Sequence, residues 1–281
     1  MTTPEVGTLS LGFSPCPNDT FIFHALAHGL VDGSSGPFLP RLEDVETLNQ
    51  LALAGSLEVT KVSYGAIPFL LEEYVLLRTG GALGRGCGPL LVSREPVPLA
   101  SLATARIAIP GRFTTANLLL RLSNPALAAG EETLYSEIIP EVAAGKADAG
   151  LIIHESRFTY GDHGLVCLLD LGEWWEQETA RPIPLGGIVA KRSLGEARIR
   201  AIEGAIRSSV EFALAHPAAS SEYMRRHAQE MDEAVMRSHV DLYVNDFSVD
   251  LGEEGEAAVR ELLERAAALE LTPASPEPFP G

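Results

Sequence analysis

Short apolar runs alternate with stretches of helical spacing along most of the chain, the pattern of an α/β protein. Leu9–Phe13 predicts a strand, residues 14–20 a loop, and Phe21, Ile22, Ala25 and Leu26 the start of a helix, with Asp19 or Thr20 as its N-cap. Val45, Leu48, Leu51 and Ala52 share one face of a second helix that Gly55 ends. Strands are predicted over 57–62, 75–77, 89–93, 107–109, 149–153, 166–169 and 183–190, and helices over 116–122 and around Ile138, Ile139, Val142 and Ala143. A third early helix carries Ile67, Leu70 and Leu71.

Beyond Lys191 the spacing is helical. Ile199, Ile202, Ile206, Val210 and Ala213 fit one helix, and Pro217 can open the next. Asp232 can cap a helix holding Val235, Met236, His239 and Val240, and an acidic amphipathic helix runs over 255–269. Four prolines in the last nine residues predict an extended tail. Two αβ lobes with a helical return follow from this order. The first spans 1–92 with 190–281, the second 93–189, and the cleft between them is the expected ligand site. Loops 14–20, 61–64 and 111–116, together with His154, fall at carboxyl ends of strands, where open α/β sheets bind ligands.

Charge narrows the function. The chain has 21 basic and 38 acidic residues, a net charge of −17. This argues against a nucleic-acid partner and against an anionic membrane surface. No apolar run reaches the length of a membrane span, and the first basic residue is Arg41, so a cytoplasmic protein is expected. Cys16, Cys87 and Cys167 cannot all pair and lack the spacing of metal ligands.

Several residues carry candidate chemistry. His154 ends the apolar run Leu151-Ile152-Ile153, where an imidazole is either a general base facing a cleft or a structural strand-end group. His-Glu-Ser-Arg-Phe does not match the zinc-protease pattern. Thr114, Thr115 and Ala116 open a helix whose free amides and hydroxyls suit a carboxylate or phosphate. Lys61, one of three lysines, stands beside Val62 and Ser63 at a strand end, either as a surface group near a turn serine or as an amine for Schiff-base chemistry. His24 and His28 share a helix face without a third metal ligand. His163, His216, His227 and His239 read as loop or helix-surface residues, Trp174 and Trp175 as packing, and residues 253–256 as a solvated helix start. Residues 80–88 hold five glycines but no P-loop ending, and read as a flexible loop.

Three motifs carry a resemblance: Ser-Pro-Cys-Pro-Asn-Asp-Thr-Phe at 14–21, Gly-Gly-Ala-Leu-Gly-Arg-Gly at 80–86 and Leu-Ile-Ile-His-Glu-Ser-Arg-Phe-Thr-Tyr at 151–160. With them the chain, from residue 11 to about 276, resembles the 1,4-dihydroxy-6-naphthoate synthases of the futalosine route to menaquinone. The resemblance implies a two-lobed fold like type II periplasmic binding proteins. It implies a carbon–carbon lyase that converts cyclic dehypoxanthinyl futalosine, a small carboxylate, to 1,4-dihydroxy-6-naphthoate with loss of dihydroxyacetone, using no metal and no organic cofactor. It implies His154 as proton acceptor and Lys61, Val62, Ser63, Thr115 and Ala116 as substrate contacts, to which Asn18 of the first motif is added. The pathway's chorismate dehydratase and a non-catalytic small-anion solute-binding protein are the competing readings of such a chain.

Overall fold

The computed structural model describes residues 7–31, 36–228, 232–274 and 277–279. Strand β1 (Leu9–Phe13), helix α1 (Pro17–Ala27), β2 (Phe38–Leu42), α2 (Val45–Leu53), β3 (Val59–Ser63), β4 (Tyr74–Leu76) and β5 (Ala82–Gly84) come first. There follow β6 (Leu90–Ser93), β7 (Ile107–Ile109), α3 (Thr115–Ser123), β8 (Glu131–Glu132), α4 (Tyr135–Ala143), β9 (Ala149–Ile152), α5 (Ser156–Thr159), β10 (Val166–Asp170) and α6 (Leu171–Thr179). The chain closes with β11 (Ile183–Lys191) and helices α7 (Glu196–Ala215), α8 (Ser221–His227), α9 (Glu233–Tyr243), α10 (Asp246–Val249) and α11 (Gly252–Ala268).

Two sheets result. The first has the order β2-β1-β3-β11-β4, with β5 also paired to β11; the second is β10-β6-β9-β7-β8. β1 is parallel to β2 and β3, whereas β11 returns antiparallel to β3, β4 and β5. Alternation along the strands sorts side chains into separate cores. Leu9, Leu11 and Phe13 of β1 pack with α1 and α7. Leu90 and Val92 of β6 pack with α4 on one face of the second sheet. Leu91 and Leu151 turn to the other face, into a core shared by both sheets that includes Val62, Tyr64, Leu119 and Trp175.

The two-lobed α/β organisation matches the pattern of the sequence, but sheet membership moves the crossings. β6 lies in the second sheet and β11 in the first, so the boundaries at 92/93 and 189/190 cut through strands. A strand covered on both faces reads as a continuous apolar run, and such a run does not announce which sheet it joins. The segment that leads into β6 packs on the first turn of α6 where glycines permit it. A Cβ on Gly172 would lie 1.7 Å from the Cys87 carbonyl oxygen, and one on Gly88, at φ +135°, would lie 2.9 Å from Gly172.

Other local expectations also change. β2 escapes a reading by pattern because Pro40 looks like a breaker, yet as an edge strand it can spare the missing N–H, and Leu39 is 64% exposed. Residues 80–84 of the glycine segment are buried, Gly80 donates to the Ser248 carbonyl and β5 pairs with β11, so only Arg85 and Gly86 stand exposed. The tail is not free either. Leu76 donates to the Pro278 carbonyl, and buried Phe279 lies under the Arg78 and Arg260 guanidinium groups, 5.3 and 5.0 Å from the ring centre. Residues 275–276 and 280–281 of that tail lie outside the described ones. No helix among the described residues is long and apolar enough to cross a membrane.

Trp175 anchors the shared core. It is buried, its indole N–H donates to the Pro182 carbonyl at 3.0 Å, and Arg265 lies 5.8 Å from its ring centre. Packing, not ligand stacking, is its role. Trp175→Ala should cost about 3–5 kcal/mol in urea unfolding; a loss below about 1 kcal/mol would contradict this placement.

Candidate functional site

The cleft between the sheets holds a cavity of about 100 Å³. Asn18, Lys61, Val62, Ser63, Thr115, Ala116 and His154, which the sequence picked from four separate segments, all line it.

The first segment is built differently from its sequence expectation. Helix α1 begins at Pro17, with Cys16 as N-cap and neither Asp19 nor Thr20 in that position. Proline has no N–H to lose and a φ already helical, so it suits the first helical position. Asp19 thereby moves inside the first turn, where its carboxylate becomes an organising acceptor. Oδ2 receives the Ser14 amide at 3.1 Å and hydroxyl at 2.8 Å; Oδ1 receives Asn18 Nδ2 at 3.0 Å and the Lys61 ammonium at 2.6 Å. Lys61 is 7% exposed. It is neither a surface lysine nor a free amine, because β3 carries it inward to neutralise a buried carboxylate. Cys16 is buried as well, and burial, with Glu155 nearby, pushes its thiol up, so it is no nucleophile.

Ser63 ends β3. Its amide donates to Asn49 Oδ1 at 2.9 Å and its oxygen accepts from Asn49 Nδ2 at 3.2 Å, which leaves the hydroxyl hydrogen for a ligand. Across the cleft, the hydroxyls of Thr114 and Thr115 are already committed. Thr114 caps α3 by accepting from the Asn117 amide and donates to the Gly111 carbonyl. Thr115 donates to the Leu185 carbonyl at 2.6 Å and accepts from the Gly65 amide at 3.1 Å, and so ties the second lobe to the first. The expected hydroxyl donors are therefore spent on structure. The amides of Thr115 and Ala116 remain, in a first turn without acidic side chains, where no intrahelical acceptor reaches them. Glu46 of α2 adds a second fastening by accepting from the Phe113 amide at 3.2 Å, and burial raises its carboxyl above the ordinary value.

His154 follows β9 at φ +56°, a left-handed conformation unusual outside glycine. Such strain clusters at functional sites. The ring is half-buried, meets Tyr135 edge-on at 5.2 Å and has no side-chain hydrogen bond among the described residues. Desolvation lowers its pKa, against the raising pull of Glu155 and Asp19. The Tyr135 hydroxyl donates to Glu155 Oε1 at 3.2 Å, and desolvation raises that phenol. Beside this ring stands a residue that the sequence reading put on a helix surface. His239 is 1% exposed, lines the cleft and has its ring centre 6.2 Å from that of His154. A signal existed: Met236, His239, Val240 and Tyr243 are the buried positions of α9, at the spacing of a core-facing stripe.

Elsewhere, the His24 and His28 rings meet tilted, with centres 4.5 Å apart, and no group of three or more His, Cys, Asp or Glu among the described residues has metal-binding geometry.

Lys61 and Asp19 should behave as a buried pair. Asp19→Asn alone should cost about 3–5 kcal/mol in chemical denaturation, and adding Lys61→Met should return much of it. A double-variant cost equal to the sum of the Asp19→Asn and Lys61→Met single costs would exclude a net interaction.

Residues 9–268 match the menaquinone-biosynthesis family. A 1,4-dihydroxy-6-naphthoate synthase of Thermus thermophilus is 56% identical over 271 residues, covering 96% of this chain and 98% of the relative. A crystal structure from Archaeoglobus fulgidus superposes with a TM-score of 0.89 at 36% identity, over 94% of this chain and 98% of the other. The MOPS-bound alkanesulfonate-binding protein of Xanthomonas axonopodis superposes with a TM-score of 0.71 at 16% identity, over 97% and 96% of the two chains, which shows a shared periplasmic-binding-protein fold.

Proposed function

The chain belongs to the menaquinone-biosynthesis family, among the 1,4-dihydroxy-6-naphthoate synthases, and from that premise we propose that it cleaves cyclic dehypoxanthinyl futalosine to 1,4-dihydroxy-6-naphthoate and dihydroxyacetone, with His154 as general base. One observation carries this reading: a half-buried imidazole, without a side-chain hydrogen bond among the described residues, lines the same cleft as the donor-rich opening of α3.

Each part has a physical task. The substrate carboxylate binds the amides of Thr115 and Ala116, where the helix dipole favours a negative group. The net charge of −17 does not prevent this. Distant charges are screened beyond about 8–10 Å, whereas local donors act at contact. The Ser63 hydroxyl and the backbone of Lys61 and Val62 hold a second polar group. The Lys61 ammonium stays with Asp19 and takes no covalent role. His154 accepts a proton from the sugar-derived part of the substrate. The carbon–carbon bond then breaks, its three sugar carbons leave as dihydroxyacetone, and the ring system becomes an aromatic naphthalenediol, which supplies driving force. Lowered basicity keeps the imidazole neutral, and so able to accept, at ordinary pH.

Incubating the protein with cyclic dehypoxanthinyl futalosine, and separately with chorismate, tests the assignment; turnover of chorismate alone would refute it. His154→Asn suits the left-handed backbone better than alanine does. It should lower kcat by about 10²–10⁴-fold with the melting temperature maintained, and near-normal turnover would reject His154. The pH profile follows from the same group. Because the neutral form acts and its pKa is lowered, kcat/KM should hold steady near neutrality and fall only below the ordinary imidazole value of about 6.5. A fall beginning on the alkaline side of that value would contradict the desolvated base.

A further inference from the structure

The reaction just described gives His239 no task, although it lies inside the cleft on α9. Its Nε2 is 2.8 Å from Asn18 Oδ1. The neighbours decide which ring nitrogen holds the proton. Asp19 Oδ1 lies 3.0 Å from the Asn18 amide nitrogen, and a carboxylate only accepts, so the NH₂ end of Asn18 faces it and the carbonyl end faces His239. That carbonyl oxygen also only accepts, so Nε2 carries the hydrogen. A neutral ring in this tautomer has a lone pair at Nδ1. Nδ1 is buried and has no partner among the described residues.

We propose that His239 Nδ1 accepts a hydrogen bond from a substrate hydroxyl and holds that hydroxyl beside His154. The proposal rests on the naphthoate-synthase reading, whose substrate carries hydroxyls on its sugar-derived part. A neutral lone pair receives a hydroxyl and repels a second carboxylate. The cleft thus has two chemically distinct ends, with amides of α3 for the anion and His239 for the polyol. Burial, with His154 and Lys61 adding to it, holds the His239 pKa well below the usual imidazole value, in keeping with a neutral acceptor. The chain Lys61–Asp19–Asn18 acts through His239 by fixing its tautomer, which gives Asn18 a positioning role.

Two substitutions separate the ring's two nitrogens. His239→Gln places an amide N–H near the position of Nε2, preserving donation to Asn18 while removing the acceptor. His239→Asn keeps an acceptor near Nδ1 and gives up the bond to Asn18. With wild-type turnover of cyclic dehypoxanthinyl futalosine as reference, His239→Gln should lose about 10–100-fold in kcat/KM at a melting temperature close to wild type. His239→Asn should retain more activity than His239→Gln despite melting lower. Wild-type kinetics in His239→Gln, or equal losses in both variants, overturns the proposal. Nitrogen-15 NMR of the wild-type histidines supplies an arm that needs no folded variant. The expected signature is a proton on Nε2 and a bare Nδ1 whose resonance moves when substrate is added. A proton on Nδ1 overturns the proposal by itself. Absence of wild-type turnover would instead count against the reaction assigned above, and leaves the tautomer measurement to judge His239.

Discussion

A buried ion pair, Lys61 with Asp19 at 2.6 Å, organises the floor of the cleft. Removing two charges from water is costly, and the attraction between them repays that cost only when the remaining hydrogen-bonding capacity is filled. Here Ser14 fills one carboxylate oxygen twice, and Asn18 shares the other with Lys61. The pair joins α1 to β3 and closes the 14–20 segment into a fixed shape. Its orientation of Asn18 passes on to His239. The salt bridge thus helps determine which atoms line the site.

The opening turn of α3 serves two ends. The Thr115 hydroxyl ties the lobes together through Leu185 and Gly65, while the amides of the same turn have no intrahelical acceptor and no acidic neighbour in that turn. Glu46 clasps the neighbouring loop from the other lobe. The proposed carboxylate site and the tie between the lobes therefore share one structural element, and a ligand held at those amides would favour the tied arrangement only by what it gains there relative to any other. An acidic protein can take an acidic ligand on these terms, because contact donors outweigh screened distant charge.

Most elements were legible as periodicity. Strands at Leu9–Phe13 and Ile107–Ile109, the α2 face with its glycine stop, Asp232 as the cap of α9 and the helical spacing from Ile199 to Ala213 all follow from local rules, and the structure agrees with them. His154 was legible too, as a polar group at the end of an apolar run. What local rules misjudged were residues whose role depends on a partner far along the chain. The N-cap of α1 went to Cys16 because Pro17 suits the first turn, Lys61 went inward because Asp19 waits there, and the glycine segment is packed because β11 and Ser248 pair with it. The proline-rich end is held because Phe279 fits beneath two arginines.

By itself, then, the chain's order of apolar and polar residues determined an α/β protein of two lobes, the loops that end its strands and the segments able to carry chemistry, since these depend on spacing within a few turns or strands. Tertiary structure alone decided which sheet received β6 and β11, which hydroxyls remained for a ligand, and that His239 stands 6.2 Å from His154. Those outcomes hang on pairings across tens to hundreds of residues, where burial and the matching of donors to acceptors choose among partners that look alike in sequence.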